Sequence, residues 1–216
     1  MSANLKKNLS SKELAVLRRL STPIKIQDFL DSLPINYEKR GETYMSPREV
    51  IREKKAHCFE GALLAAAALW LHGEKPLLLD LKTVDSDVDH VVALYRKNGY
   101  WGAISKTNHA VLRFRDPVYK TIRELAASYF HEYFEDKKGL KTLRSYSRPF
   151  DLRRIGSDWI AADTAAHSLY PLVVAIDESR HFPLFPKRNI KFLRKAGKLE
   201  MKAGKLIEWK RSSRFT

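Results

Sequence analysis

The stretch His57-Cys58-Phe59-Glu60-Gly61-Ala62-Leu63-Leu64-Ala65-Ala66-Ala67-Ala68-Leu69-Trp70-Leu71-His72-Gly73 decides the fold. From Cys58 to Leu71, alanine and leucine occupy nearly every face, so the segment has no polar side to turn to water. It reads as a helix enclosed by other elements, ended by His72-Gly73. Downstream come three short apolar runs: Leu77-Leu78-Leu79 after Pro76, His90-Val91-Val92-Ala93-Leu94-Tyr95, and Tyr100-Trp101-Gly102-Ala103-Ile104-Ser105. Their length and β-branched content read as strands, and Asn98-Gly99 between the last two is a hairpin signal. An antiparallel sheet packed on the alanine-rich helix follows, which makes the chain α+β.

Upstream, three short helices are predicted. Ser10-Ser11-Lys12-Glu13 and Ser46-Pro47-Arg48-Glu49 have capping-box spacing, the second with proline at the first helical position. Thr22-Pro23 starts the helix between them, where Ile26, Phe29, Leu30 and Leu33 fall on one face. Residues 38–42 read as a surface loop. After the sheet, Asp116-Pro117 is expected to open a long helix through Phe134, with Val118, Ile122, Leu125, Tyr129 and Tyr133 as its buried stripe and Asp116 as its N-cap. Leu169 to Ile176 reads as a strand and His181 to Pro186 as an extended segment. The near repeat Ala196-Gly197-Lys198-Leu199 and Ala203-Gly204-Lys205-Leu206 suits a hairpin or an amphipathic helix. The expected organisation is a main domain over 1–150, an extension over 151–186 and a basic tail over 187–216.

Composition narrows the function classes. The 216 residues are 44% hydrophobic and 30% charged, as in globular domains. No apolar run approaches membrane-spanning length, and the first seven residues lack the apolar stretch of a secretory signal. A single cysteine excludes an internal disulfide, and a reducing, cytoplasmic setting is the expectation. The net charge is +15, and residues 187–216 hold 11 basic against 2 acidic residues. A solvated terminus accounts for that surplus, and a weak polyanion contact through 187–216 is the alternative. Zinc, nucleotide and dinucleotide motifs are missing, so no metal and no cofactor is expected. Asp85, Asp87 and Asp89 ahead of His90 read as a solvated loop, because the glycine and terminal glutamate of a calcium loop are not there.

The lone cysteine draws attention by its place. Cys58 falls in the first turn of a helix, where free backbone N–H groups and the helix dipole favour a thiolate. His90 begins a strand expected beside that helix, and an imidazole in reach of a thiol can take its proton and later return it to a leaving group. A small buried cysteine and a solvated histidine would satisfy the same sequence.

Several motifs in register favour the chemical reading. Ile26-Gln27-Asp28-Phe29-Leu30 with Asn36-Tyr37, Ser46-Pro47-Arg48-Glu49-Val50-Ile51, His57-Cys58-Phe59-Glu60-Gly61-Ala62, Gly73-Glu74-Lys75-Pro76, Asp89-His90-Val91-Val92-Ala93 and Gly99-Tyr100-Trp101-Gly102-Ala103-Ile104 follow one another in order. In this the chain resembles the transglutaminase-like superfamily of papain-related cysteine enzymes. The resemblance implies a Cys–His–Asp site for acyl transfer or amide hydrolysis through a thioester, on a peptide or protein amide. The family's aspartate falls on Ser105, which offers a neutral hydrogen bond and no charge. Asn108 could orient His90 instead, as asparagine does in papain-like enzymes, and is preferred narrowly over Ser105. The Cys58 N–H and the Gln27 side chain are candidate oxyanion donors, and His57 either adds charge beside the sulfur or turns away. A catalytically inactive binding module of the same fold is the alternative that the missing aspartate supports.

Overall fold

The computed structural model describes residues 9–38, 43–165 and 168–210. The predicted loop at 39–42, the N-terminal residues 1–8 and the tail end at 211–216 lie outside them. Helices α1 (Ser11–Arg19), α2 (Pro23–Ser32) and α3 (Pro47–Glu53) form where their caps predict. Ser10 and Glu13, and Ser46 and Glu49, exchange the reciprocal bonds of a capping box. Thr22 caps α2 alone, accepting from the Lys25 N–H at 3.2 Å. Each of these pairs satisfies backbone donors that a helix start leaves open.

Helix α4 (Cys58–Leu71) is buried from Phe59 to Trp70. Strands β1 (Leu77–Lys82), β2 (His90–Lys97) and β3 (Tyr100–Ile104) follow as an antiparallel meander. Asn98 and Gly99 turn the β2–β3 hairpin with φ of 49° and 87°, the left-handed pair that such a two-residue turn requires. Leu77 to Leu79 can be an unbroken apolar run because both sheet faces are covered. Leu78, Ala93, Tyr95 and Ile104 point to α4 and the N-terminal helices. Leu79, Leu81, Val92, Leu94 and Ala103 point the other way, onto a second cluster with Leu125, Tyr129 and Tyr133. The sheet is therefore the middle layer of three.

The predicted long helix from Asp116 is instead a strand and a short helix. Arg115–Tyr119 is β4, the edge of the sheet, where Pro117 forfeits no central ladder bond. Val118 is 63% exposed rather than in a buried stripe. Asp116 caps nothing, and α5 (Ile122–Ser128) starts at the Thr121–Glu124 capping box. A 3₁₀ turn, Phe130–Glu132, then carries the chain to Tyr133.

Strands β5 (Ser145–Ser147) and β6 (Phe150–Asp151) both pair with β1, and β7 (His181–Pro183) pairs with β5. The order is β4-β3-β2-β1-β5-β7. The strand predicted from Leu169 is helix α6 (Tyr170–Asp177). Its valines suit either state, but Pro171 fits a first helical turn, and Leu172 and Ile176, four apart, are the residues it buries. The near repeat of the tail resolves into helix α7 (Lys198–Gly204). Beyond it, residues 206–209 lie along the loop after β3. Ala110 donates to the Leu206 carbonyl at 3.0 Å, and Glu208 donates to the Asn108 carbonyl at 2.9 Å.

Candidate active site

Cys58 is the first residue of α4, and the start of β2 brings His90 to the same end of the sheet. Both line one cleft of about 700 Å³, together with His57, Lys106, Asn108 and Tyr133. Burial works to raise the Cys58 pKa, but hydrogen bonding and charge from His57 and His90 outweigh it and hold the thiol well below its usual range. Two imidazoles therefore favour one thiolate, and the helix N-terminus adds its own positive potential.

His57 is the helix N-cap residue. Its Nε2 donates to the Thr43 carbonyl at 2.9 Å, which leaves Nδ1 for the sulfur. Burial opposes a charge on this ring, yet the Cys58 sulfur, Glu60 and the Thr43 carbonyl raise its pKa from 6.5 to about 9. Each group thus favours the charged form of the other, thiolate for Cys58 and imidazolium for His57.

Glu60 anchors this end of α4. Its side chain is fully buried and accepts from the His57 N–H at 2.8 Å, the Met45 N–H at 3.0 Å and the Asn36 amide at 3.1 Å. Desolvation raises its pKa, while the His57 charge and these donors pull it back. The carboxylate thus ties Asn36 and Met45 to the residue beside Cys58. An acid three residues into a helix is a common capping signal, but nothing in the sequence marks this one as wholly enclosed.

Ser105 is the residue on the far side of the His90 ring, at 2.7 Å between Oγ and Nε2. The serine hydroxyl donates its single proton to the Leu112 carbonyl at 2.5 Å. Its oxygen therefore accepts from Nε2–H, which fixes the His90 tautomer and turns Nδ1 toward Cys58. Asn108 does not meet the His90 ring. Its oxygen accepts from the Trp209 N–H at 2.8 Å, and its amide donates to the Trp209 carbonyl and the Tyr37 hydroxyl, each at 3.0 Å. The loop after Ser105 folds back at Leu112, so the nearer residue faces the histidine and the more distant one faces the C-terminal segment.

Gln27 is also occupied. Its oxygen accepts from the Ser105 N–H at 3.0 Å, and its amide donates to the Ser105 carbonyl at 2.8 Å and to Asp31 at 2.9 Å. Both amide protons are engaged, so the side chain clamps Ser105 rather than offering a donor to the cleft.

Lys106, next to Ser105, is 1% exposed and reaches across α4 to the end of α2. Its Nζ donates to the Leu30 and Leu33 carbonyls at 2.8 and 2.5 Å, and burial lowers its pKa from 10.5 to about 8. Its stem crosses α4 at Gly61, where a Cβ would stand 2.5 Å from the Lys106 Cβ. Gly61→Ala gains about 1 kcal/mol of helix propensity and meets an overpacking cost of about 1–3 kcal/mol. Because the clash is with the fixed base of the lysine, overpacking wins. A net loss of about 1 kcal/mol should appear as a lower urea midpoint, and an unchanged or higher midpoint would refute the close approach.

The aspartates before His90 hold the loop together. Asp89 accepts from Thr83 N–H and hydroxyl at 2.7 and 2.9 Å, and Asp87 accepts from the Thr142 hydroxyl at 2.5 Å. Among the described residues, oxygens of Asp80, Asp89 and Asp177 come within 4.8 Å of one another. His181 stands 3.0 Å from Asp80 and Lys82 stands 2.5 Å from Asp177, so counter-charges are already in place. Among the described residues no helix is long and apolar enough to cross a membrane.

A comparison with curated proteins finds no match. A family model described as a transglutaminase-like domain matches residues 4–138, a span that runs from the N-terminal helices through Cys58, His90 and Ser105 to Tyr133. The chain belongs to the transglutaminase-like domain family.

Proposed function

We propose that the protein is a cysteine acyl-transfer enzyme acting on a peptide or protein amide. Cys58 is the nucleophile, His90 the proton carrier and Ser105 the group that orients it. The observation that carries this reading is the Cys58 sulfur set between two imidazoles at a helix start. In the first half-reaction the thiol proton passes to His90 as the sulfur bonds to the amide carbon, the C–N bond breaks, and the amine leaves with that proton. Water then releases the acyl group as an acid, or a second amine releases it as a new amide. Family membership supports this first half-reaction, which peptidases, amidases and transamidases share.

His57 favours the thiolate by a second route. In the family pattern an aspartate balances the imidazolium, and the neutral Ser105 has no charge to do so; here the His57 ring beside the sulfur lowers the thiol pKa directly. The role of Ser105 is then geometric, which a hydroxyl with a committed proton can fulfil.

Alkylation of Cys58 by iodoacetamide tests the reading, because its rate follows the thiolate fraction. An ordinary thiol loses about 160-fold in rate between pH 8.5 and pH 6. With its pKa held well below the usual range, Cys58 should keep far more of its rate across that interval than an ordinary thiol does, with the adduct located at Cys58 by mass spectrometry. A rate that falls tenfold per pH unit from 8.5 would leave a binding module of the same fold.

A further inference from the structure

We propose that the Tyr133 hydroxyl, together with the Cys58 backbone N–H, forms the oxyanion site of this cleft. The inference rests on the reading of Cys58 as nucleophile and adds the group that receives the substrate's carbonyl oxygen. Tyr133 is 3% exposed, and its hydroxyl is shut off from solvent without a hydrogen-bond partner among the described residues. A buried hydroxyl with no partner costs about 1–3 kcal/mol, so a fold that keeps one calls for an explanation. Phenylalanine would fill the same place in the apolar cluster with Leu79 and Leu81 and carry no such cost.

The position of the hydroxyl supplies that explanation. Tyr133 lines the same cleft as Cys58 and His90. Burial is the main influence on its ionisation, and the Cys58 sulfur comes first among the charges that act on it. Both push the pKa well above 10, so the group remains a proton donor throughout the pH range of the enzyme. Four polar side chains close to Cys58 and Ser105 are occupied. Gln27 is clamped on Ser105, Lys106 on the end of α2, His57 on Thr43, and Asn108 on Trp209. Of the buried side-chain donors without a partner among the described residues, Tyr133 is the one in the wall of this cleft.

The chemistry balances with this donor in place. As the Cys58 sulfur bonds to the carbonyl carbon, the C=O π pair moves onto oxygen. That oxygen accepts from Tyr133 Oη–H and from the first-turn N–H of α4. The pair then re-forms the double bond as the leaving group departs, carrying the proton from His90.

The test compares Tyr133→Phe with wild type in two reactions of the same sulfur. Acylation by 4-nitrophenyl acetate passes through an oxyanion, whereas alkylation by iodoacetamide does not. Tyr133→Phe should slow acylation by about 10²-fold, leave the alkylation rate unchanged, and melt no lower than wild type, since no hydrogen bond is lost. Unchanged acylation overturns the proposal. So does a parallel fall in both rates, or a lower melting temperature with acylation intact, because either assigns the hydroxyl to the thiolate or to the fold. Failure of the underlying reading looks different: wild type itself would not be acylated at Cys58, and the oxyanion site would fall with it.

Discussion

Glu60→Ala is expected to destabilise the protein by about 3–5 kcal/mol, the usual penalty for removing one partner from a buried charged network. For a chain of this length that is a fall in melting temperature of roughly 10 °C. The magnitude follows from what the carboxylate holds. Without it the Met45 and His57 N–H groups lose their acceptor inside the protein, the Asn36 amide keeps only the Thr43 hydroxyl, and His57 loses a counter-charge. Glu60→Gln should recover little, because its amide nitrogen would face N–H groups that need an acceptor. Thermal melting of both variants checks this, and a loss below about 1 kcal/mol in Glu60→Ala would remove Glu60 from its anchoring role.

His90→Ala should lower steady-state hydrolysis of 4-nitrophenyl acetate by about 10²–10⁴-fold, the range that a positioned acid–base group contributes. Two steps lose their proton carrier: formation of the thioester and the attack of water on it. The second imidazole predicts a split between measurements. His57 still favours the thiolate, so iodoacetamide alkylation at pH 7 should fall far less than hydrolysis does. If both fall by the same factor, His90 does no more than ionise the thiol. Hydrolysis within tenfold of wild type would exclude it as the proton carrier.

Much of the fold is legible in the sequence. The three N-terminal helices announce themselves by side chains that cap locally, and α4 by a composition that permits no exposed face. The start of that helix and the start of β2 put Cys58 and His90 at one end of the sheet because topology alone brings them there. What stayed hidden depends on how loops fold back. Ser105 and Asn108 are three residues apart, and only the return of the chain at Leu112 decides which one meets the imidazole. Gln27 looks alike in sequence whether its amide is free or clamped. The sequence pattern places Tyr133 in the buried stripe of a long helix; in the structure that stripe breaks at Thr121, where a capping box starts a new helix instead of a continuation from Pro117. Tyr133 is buried as the pattern predicts, but a hydrophobic pattern records only the ring and not its hydroxyl.

The way residues 206–209 are stitched to the loop after β3 bears on how the basic terminus should be probed. Asn108, Tyr37 and Arg113 all hold that segment, the last through Glu208 at 3.1 Å. Deleting everything past residue 186 to ask about polyanions would unzip a rim of the Cys58 cleft in the same stroke. Reversing charge on outward lysines and arginines, such as Lys187, Arg188, Lys198 and Lys202, alters the electrostatics and leaves the seam closed. For the same reason a purification handle belongs at the other end of the polypeptide.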